Sequence, residues 1–177
     1  MDFPGDLLGR ILPEGETLES PLALPEPPKS CSDPADIKRA VDLLKTAQRP
    51  LLIVGKGAAY AHAEDVVNEF VKQTNIPILA SPMGKGVVDD NDPHSVGPAR
   101  SLALEKADVI QLVGARLNWI LHFGRPPRFD PNVKIIQVSK LRFIQYSLAK
   151  VNVLIPLCFK DRHCTRRIAQ QYSIIGK

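Results

Sequence analysis

Four short apolar runs, separated by amphipathic segments, constrain this chain more than any other feature of it. They read PLLIV (50–54), IPILA (76–80), DVIQLV (108–113) and VKIIQV (133–138). A strand that is apolar at nearly every position, rather than at every second one, has to be covered on both faces. That is the condition of a parallel sheet packed between helices. The intervening segments supply those helices. Ile37, Ala40, Val41 and Leu44 recur at helical spacing, and Ser32 or Asp33 can cap a helix that begins at Pro34. Ala63, Val66, Val67, Phe70 and Val71 form a second stripe, with Glu64, Asp65 and Glu69 on the wet side, and SLALEKA reads as a short third helix. The expected fold is α/β: an open, doubly wound parallel sheet in three layers.

At 177 residues the chain is of one-domain length. No apolar run approaches the roughly 18 residues of a membrane span. The opening MDFPGDLLGRILPEGE is acidic and broken by prolines, unlike a secretory leader. Cys31, Cys158 and Cys164 make no even framework, which points to a reducing compartment. The net charge of +4 conceals a division of the chain. Residues 139–177 carry eight Lys/Arg against the single acid Asp161, whereas residues 1–138 are mildly acidic. Residues 1–31 are proline-rich and read as an extended linker. The tail after Val138 has no clean period, and its VNVLIPLCF could be a strand only at a sheet edge because of Pro156.

In a sheet of this kind, ligands sit beyond the carboxyl ends of the strands. Three loops leave such ends, 55–60, 81–100 and 114–132, and all contain glycine and basic residues. Gly55 and Gly57 would let backbone approach an anion, with Lys56, Arg100 and Arg116 as countercharges. The dinucleotide fingerprint is not met, since its third glycine position is Tyr60 and no acid follows the second strand. A lone G-x-G is equally the mark of a tight strand-to-helix turn. Arg116 and Arg125 read equally as solvated loop charges, and Trp119, beside Leu117, Ile120 and Leu121, as loop-anchoring core rather than a stacking platform. The run Asp89-Asp90-Asn91-Asp92 lacks the spacing of a calcium loop and reads as a turn. His94, His122 and the Cys158, His163, Cys164 cluster match no common metal spacing. No nucleophile–base pair stands out, and no catalytic residue is assigned.

The stretches GKGAAY, PMGKGV and VGARLNW, within residues 33–138, resemble the central domain of thiamine diphosphate-dependent enzymes of the 2-hydroxyacyl-CoA lyase and oxalyl-CoA decarboxylase type. The resemblance implies a Rossmann-like module that binds an adenine nucleotide, either ADP or the ADP part of CoA. Lys56 and Arg116 would contact its phosphates, while Gly55 and Gly57 would permit close approach. In such enzymes a preceding domain carries the glutamate that activates thiamine diphosphate, and a following domain holds magnesium and diphosphate through a Gly-Asp-Gly…Asn motif. Neither is found in this sequence, so no turnover is expected of it alone. The segment DFPGDLL is similar to the end of the preceding pyrimidine-binding domain, which makes residues 1–31 a linker with a remnant of it and 32–138 the central domain. Partners implied are the other family domains, in homo-oligomers.

The resemblance stops after IIQV. There the family continues with an aspartate on the ribose side, whereas this chain has Ser139-Lys140-Leu141 and then a divergent basic tail, residues 139–177. A sheet incomplete at its C-terminal end is therefore expected, as from an alternative exon, a read-through or a gene-model error. Residence in the peroxisome is implied by the family alone, because Ser139–Leu141 spells a peroxisomal address that is read only at a free C-terminus and this chain ends IIGK. Cytoplasmic residence is the alternative. A second class of function is a non-catalytic module whose basic tail meets an acidic partner or nucleic acid, although no nucleic-acid fold is recognisable. A third is a poorly folding product.

Overall fold

The computed structural model describes residues 32–139, the backbone of Val151–Pro156, and the isolated positions Asp6, Gly9, Ile11 and Gly15. The linker, the remnant of a preceding domain, the three cysteines and the rest of the tail lie outside the described residues. The first element with a described range is α1, Pro34–Thr46, with Asp33 as its cap accepting from the Ala35 amide at 2.8 Å. Pro34 occupies the first turn, where its missing N–H costs nothing. Ile37, Ala40, Val41 and Leu44 are the buried positions, the stripe expected from their spacing.

Five parallel strands follow: β1 (Pro50–Val54), β2 (Ile78–Ala80), β3 (Val109–Val113), β4 (Lys134–Ser139) and β5 (Val151–Pro156), in the order β2-β1-β3-β4-β5. Helices α2 (Lys56–Tyr60) and α3 (Glu64–Thr74) connect β1 to β2, and α4 (Arg100–Lys106) precedes β3. Leu52 and Val54 pack with α1 and α3 on one face, together with Val109, Val113, Ile136 and Val138. Leu51, Ile53, Ile110, Leu112 and Ile135 face the other way, toward Leu104 of α4 and toward Leu121 and Phe129 of the β3–β4 connection. Alternate strand residues thus feed two cores, which is why the strands are apolar at nearly every position. The fold is the three-layer, doubly wound sheet expected, and it stays open.

Two boundaries differ from the sequence reading. β2 starts at Ile78 rather than Ile76, because Pro77 has no N–H for the ladder; Ile76 is buried all the same. Residues 56–60, read as loop, form the short helix α2, favoured by Ala58 and Ala59 and ended where His62 turns to φ +50°. The tail contributes β5, whose Pro156 pairs with Ser139 at the edge of the sheet, where a missing N–H is tolerated. Asp89–Asp92 is a turn: Asp89 accepts from the Asn91 amide at 2.9 Å, and Asp92 from the His94 amide at 2.9 Å. His94 is held by Asp92 and Asn75, and its carbonyl accepts from the Ile78 amide at 2.8 Å along the outer edge of β2.

Candidate functional site

Register sets the site. Val54 of β1 lies opposite Val113 of β3, and Val113 opposite Val138 of β4, so three strands end in line. The pairing runs one step further: the Gly55 amide donates to Val113 O at 3.0 Å and the Gly114 amide to Val138 O at 2.9 Å. The chain after β1 goes to the α1 and α3 face, where Ala58 is buried, while the chain after β3 sends Ala115 and Leu121 to the opposite face. In the order β2-β1-β3-β4-β5, this divergence between β1 and β3 is the topological switch point at which open sheets take ligands.

The two loops meet backbone to backbone there. A Cβ on Gly55 would stand 2.7 Å from Ala115 Cα, and one on Gly57 would stand 2.8 Å from Gly114 Cα. Gly114 itself sits at φ +62°, with Ala58 N only 2.2 Å from where its Cβ would be. The glycine pair therefore answers first to loop packing. The Gly57 amide is also spent, donating to Gly114 O at 2.9 Å, and the Ala58 and Ala59 amides close on Gly55 O. Few backbone donors remain for an anion, so side chains have to supply the attraction.

Lys56 and Arg116 are exposed on these loops, at the same carboxyl edge. Lys56 Nζ lies 4.9 Å from the centre of the Tyr60 ring, one helical turn on. Among the described residues neither Lys56 nor Arg116 has a carboxylate partner within ion-pair distance. Two uncompensated cations on loops already joined by a hydrogen bond give a locally positive rim. Arg100, the third cation considered, is committed elsewhere, because its guanidinium donates to the Ile120 carbonyl. Arg125 is exposed, as a solvated loop charge would be.

Trp119 corrects the sequence reading. It is 73% exposed, and Leu121, only 2% exposed, anchors the loop in its place. The Trp119–Gly124 segment is a distorted turn in which His122, Phe123 and Gly124 take φ of +49°, +54° and +67°. That irregular path puts Leu121 inward and the indole outward, which no helical or strand periodicity can foretell. Sequence reasoning also passed over Gly84. A Cβ there would stand 2.3 Å from Val54 O, so the turn after β2 is pressed against the end of β1. A glycine immediately after a strand-end turn was the available signal.

Among the described residues no three His, Cys, Asp or Glu side chains group together, and the Gly-Asp-Gly…Asn pattern that the resemblance assigns to magnesium and diphosphate does not occur in the sequence.

Comparison with known proteins bears on the rest. The family model described as "Thiamine pyrophosphate enzyme, central domain" matches residues 37–144. Human 2-hydroxyacyl-CoA lyase 1 is 58% identical over 113 residues, covering 64% of this chain and 20% of that protein. The 2-hydroxyacyl-CoA lyase of rice (Oryza sativa subsp. japonica) is 47% identical over 147 residues, covering 78% of this chain and 26% of its own length. Oxalyl-CoA decarboxylase of Escherichia coli K12 is 41% identical over 126 residues, covering 71% and 22%. The chain thus spans between 20% and 26% of these relatives. A thiamin diphosphate-dependent enzyme of Mycobacterium smegmatis shares the fold with a TM-score of 0.65 at 17% identity, covering 86% of this chain and 30% of that one.

Proposed function

Because the chain belongs to the thiamine pyrophosphate enzyme family, matching its central domain, we propose that it is the nucleotide-binding piece of a 2-hydroxyacyl-CoA lyase and has no turnover of its own. Full-length members of the family use thiamine diphosphate and magnesium, and the enzyme proposed here would cleave a 2-hydroxyacyl-CoA to formyl-CoA and an aldehyde one carbon shorter. The cofactor supplies the carbanion stabilisation, and the protein supplies position. In that division of labour this domain binds ADP, or the ADP part of CoA, through its diphosphate. Its partners are the other family domains in a homo-oligomer. Residence in the peroxisome, against the cytosol, belongs to the same proposal, and imaging of the tagged chain against a peroxisomal marker decides it.

One observation supports the reading: Lys56 and Arg116, without a carboxylate partner among the described residues, stand on the two loops that part at the β1/β3 switch point and are joined by the Gly57–Gly114 hydrogen bond. A diphosphate placed there would meet both cations. Arg would serve as a planar fork and Lys as a point charge. The basic residues of the tail that motivate a nucleic-acid reading lie outside the described residues.

The test is a thermal-shift titration of the whole chain with ADP. At a hundred times its dissociation constant a ligand adds about 2.7 kcal/mol, which is worth roughly 10 °C or more in a domain of about 100 residues. Wild type should show that rise, and Lys56→Ala or Arg116→Ala should lose most of it. A melting temperature indifferent to millimolar ADP would refute the proposal.

A further inference from the structure

We propose that Trp119 is the stacking platform for the base of the nucleotide, so that the site selects a purine diphosphate over a bare diphosphate. This rests on the nucleotide reading above and adds to it the recognition of the ring. Trp119 is the one tryptophan in the sequence and stands 73% exposed. Phe123, four residues on, is 46% exposed. Two exposed aromatic faces four residues apart mark a candidate contact surface, and stacking on a flat ring is the chemistry that suits it.

The loop that presents them is fixed rather than loose. Asn118 accepts the Ile120 amide on its side chain at 3.1 Å, and its carbonyl accepts from the Leu121 amide at 3.1 Å and the Phe123 amide at 2.9 Å. Arg100 holds the Ile120 carbonyl from α4, and Leu121 and Phe129 are sunk in the core. This framework keeps His122 and Phe123 in the left-handed region at φ +49° and +54°, where side chains rarely go. Strain of that kind persists only where surrounding structure over-determines it, and it clusters at binding sites. A platform already ordered loses little freedom when a ring settles on it.

Position completes the inference. Trp119 lies three residues beyond Arg116, and both stand exposed on the one short segment that leaves β3. Lys56 approaches from the β1 side. Diphosphate at the switch point and base on the indole would span one nucleoside diphosphate.

The single tryptophan makes the test direct. ADP and inorganic pyrophosphate are titrated separately into the whole chain while tryptophan fluorescence and melting temperature are followed. ADP should quench Trp119, whereas pyrophosphate should raise the melting temperature without quenching. Trp119→Ala should weaken ADP roughly ten-fold, in keeping with the loss of one base stack, and leave pyrophosphate unchanged; Trp119→Phe should restore most of the ADP affinity. As the indole is exposed, neither variant should disturb the fold, and circular dichroism checks this. If ADP stabilises the protein with no quenching and with equal affinity for Trp119→Ala, the stacking role is overturned while the diphosphate site stands. If neither ligand stabilises the protein, both readings fall.

Discussion

Asp108 shows how one side chain joins two elements. Its carboxylate accepts from the Gln48 amide at 2.7 Å and the Arg49 amide at 3.0 Å, tying the turn before β1 to the start of β3. Burial is the largest single influence on it and raises its pKa, but backbone N–H groups of Gln48, Arg49, Asp108 itself and Val109 outweigh burial together, and the pKa is lowered. A carboxyl lowered in the folded state stabilises fully above its unfolded value near 3.8, and that contribution is lost as pH falls through the lower folded value. Asp108→Asn should therefore cost about 1 kcal/mol at neutral pH, a modest figure because the group is partly solvated. The gap from wild type should begin to close below about pH 4 and go on narrowing as pH falls through the lower folded value. Urea unfolding of both proteins at pH 7 and pH 3 checks this, and a gap unchanged at pH 3 would contradict it. The two ends of this arrangement were visible in the sequence, but their meeting was not, because they are 60 residues apart.

At the scale of elements, α1 and α3 followed from spacing because an amphipathic stripe is a local signal. The connection from β3 to β4 did not. Its cohesion comes from Phe129 and Leu121, 1% and 2% exposed, which plug the core beneath α4. Phe129→Ala should cost about 3–5 kcal/mol through lost contacts and a cavity, while Phe129→Leu should retain most of the stability. Denaturant midpoints measure both, and a cost under about 1 kcal/mol for alanine would mean that the connection is not part of the core. The same packing decides the fate of Trp119. Among three neighbouring apolar residues the turn can bury only some, and which one goes inward depends on a left-handed path at 122–124 rather than on hydropathy.

At the scale of the whole molecule, the proposed reading gives the open sheet a nucleotide-binding edge and no turnover of its own. No Gly-Asp-Gly…Asn motif occurs in the sequence, and no three-residue metal cluster occurs among the described residues. The purified chain, given a 2-hydroxyacyl-CoA, thiamine diphosphate and magnesium, should therefore yield no formyl-CoA above the protein-free rate. Measurable production would overturn the non-catalytic reading. The sequence by itself determined the parallel, doubly wound sheet, because two-sided burial forces continuous apolarity on each strand and nothing else in a chain of this kind does. It also offered Lys56, Arg100 and Arg116 as countercharges, through residue types at strand ends, and the family resemblance narrowed these to Lys56 and Arg116. Only the tertiary structure decided that Gly55 and Gly57 are pressed against Gly114, that Arg100 is tied to Ile120, and that Trp119 faces water. Those outcomes depend on contacts between loops distant in the chain, and the free energy that selects among them exists only after the sheet has brought the loops together.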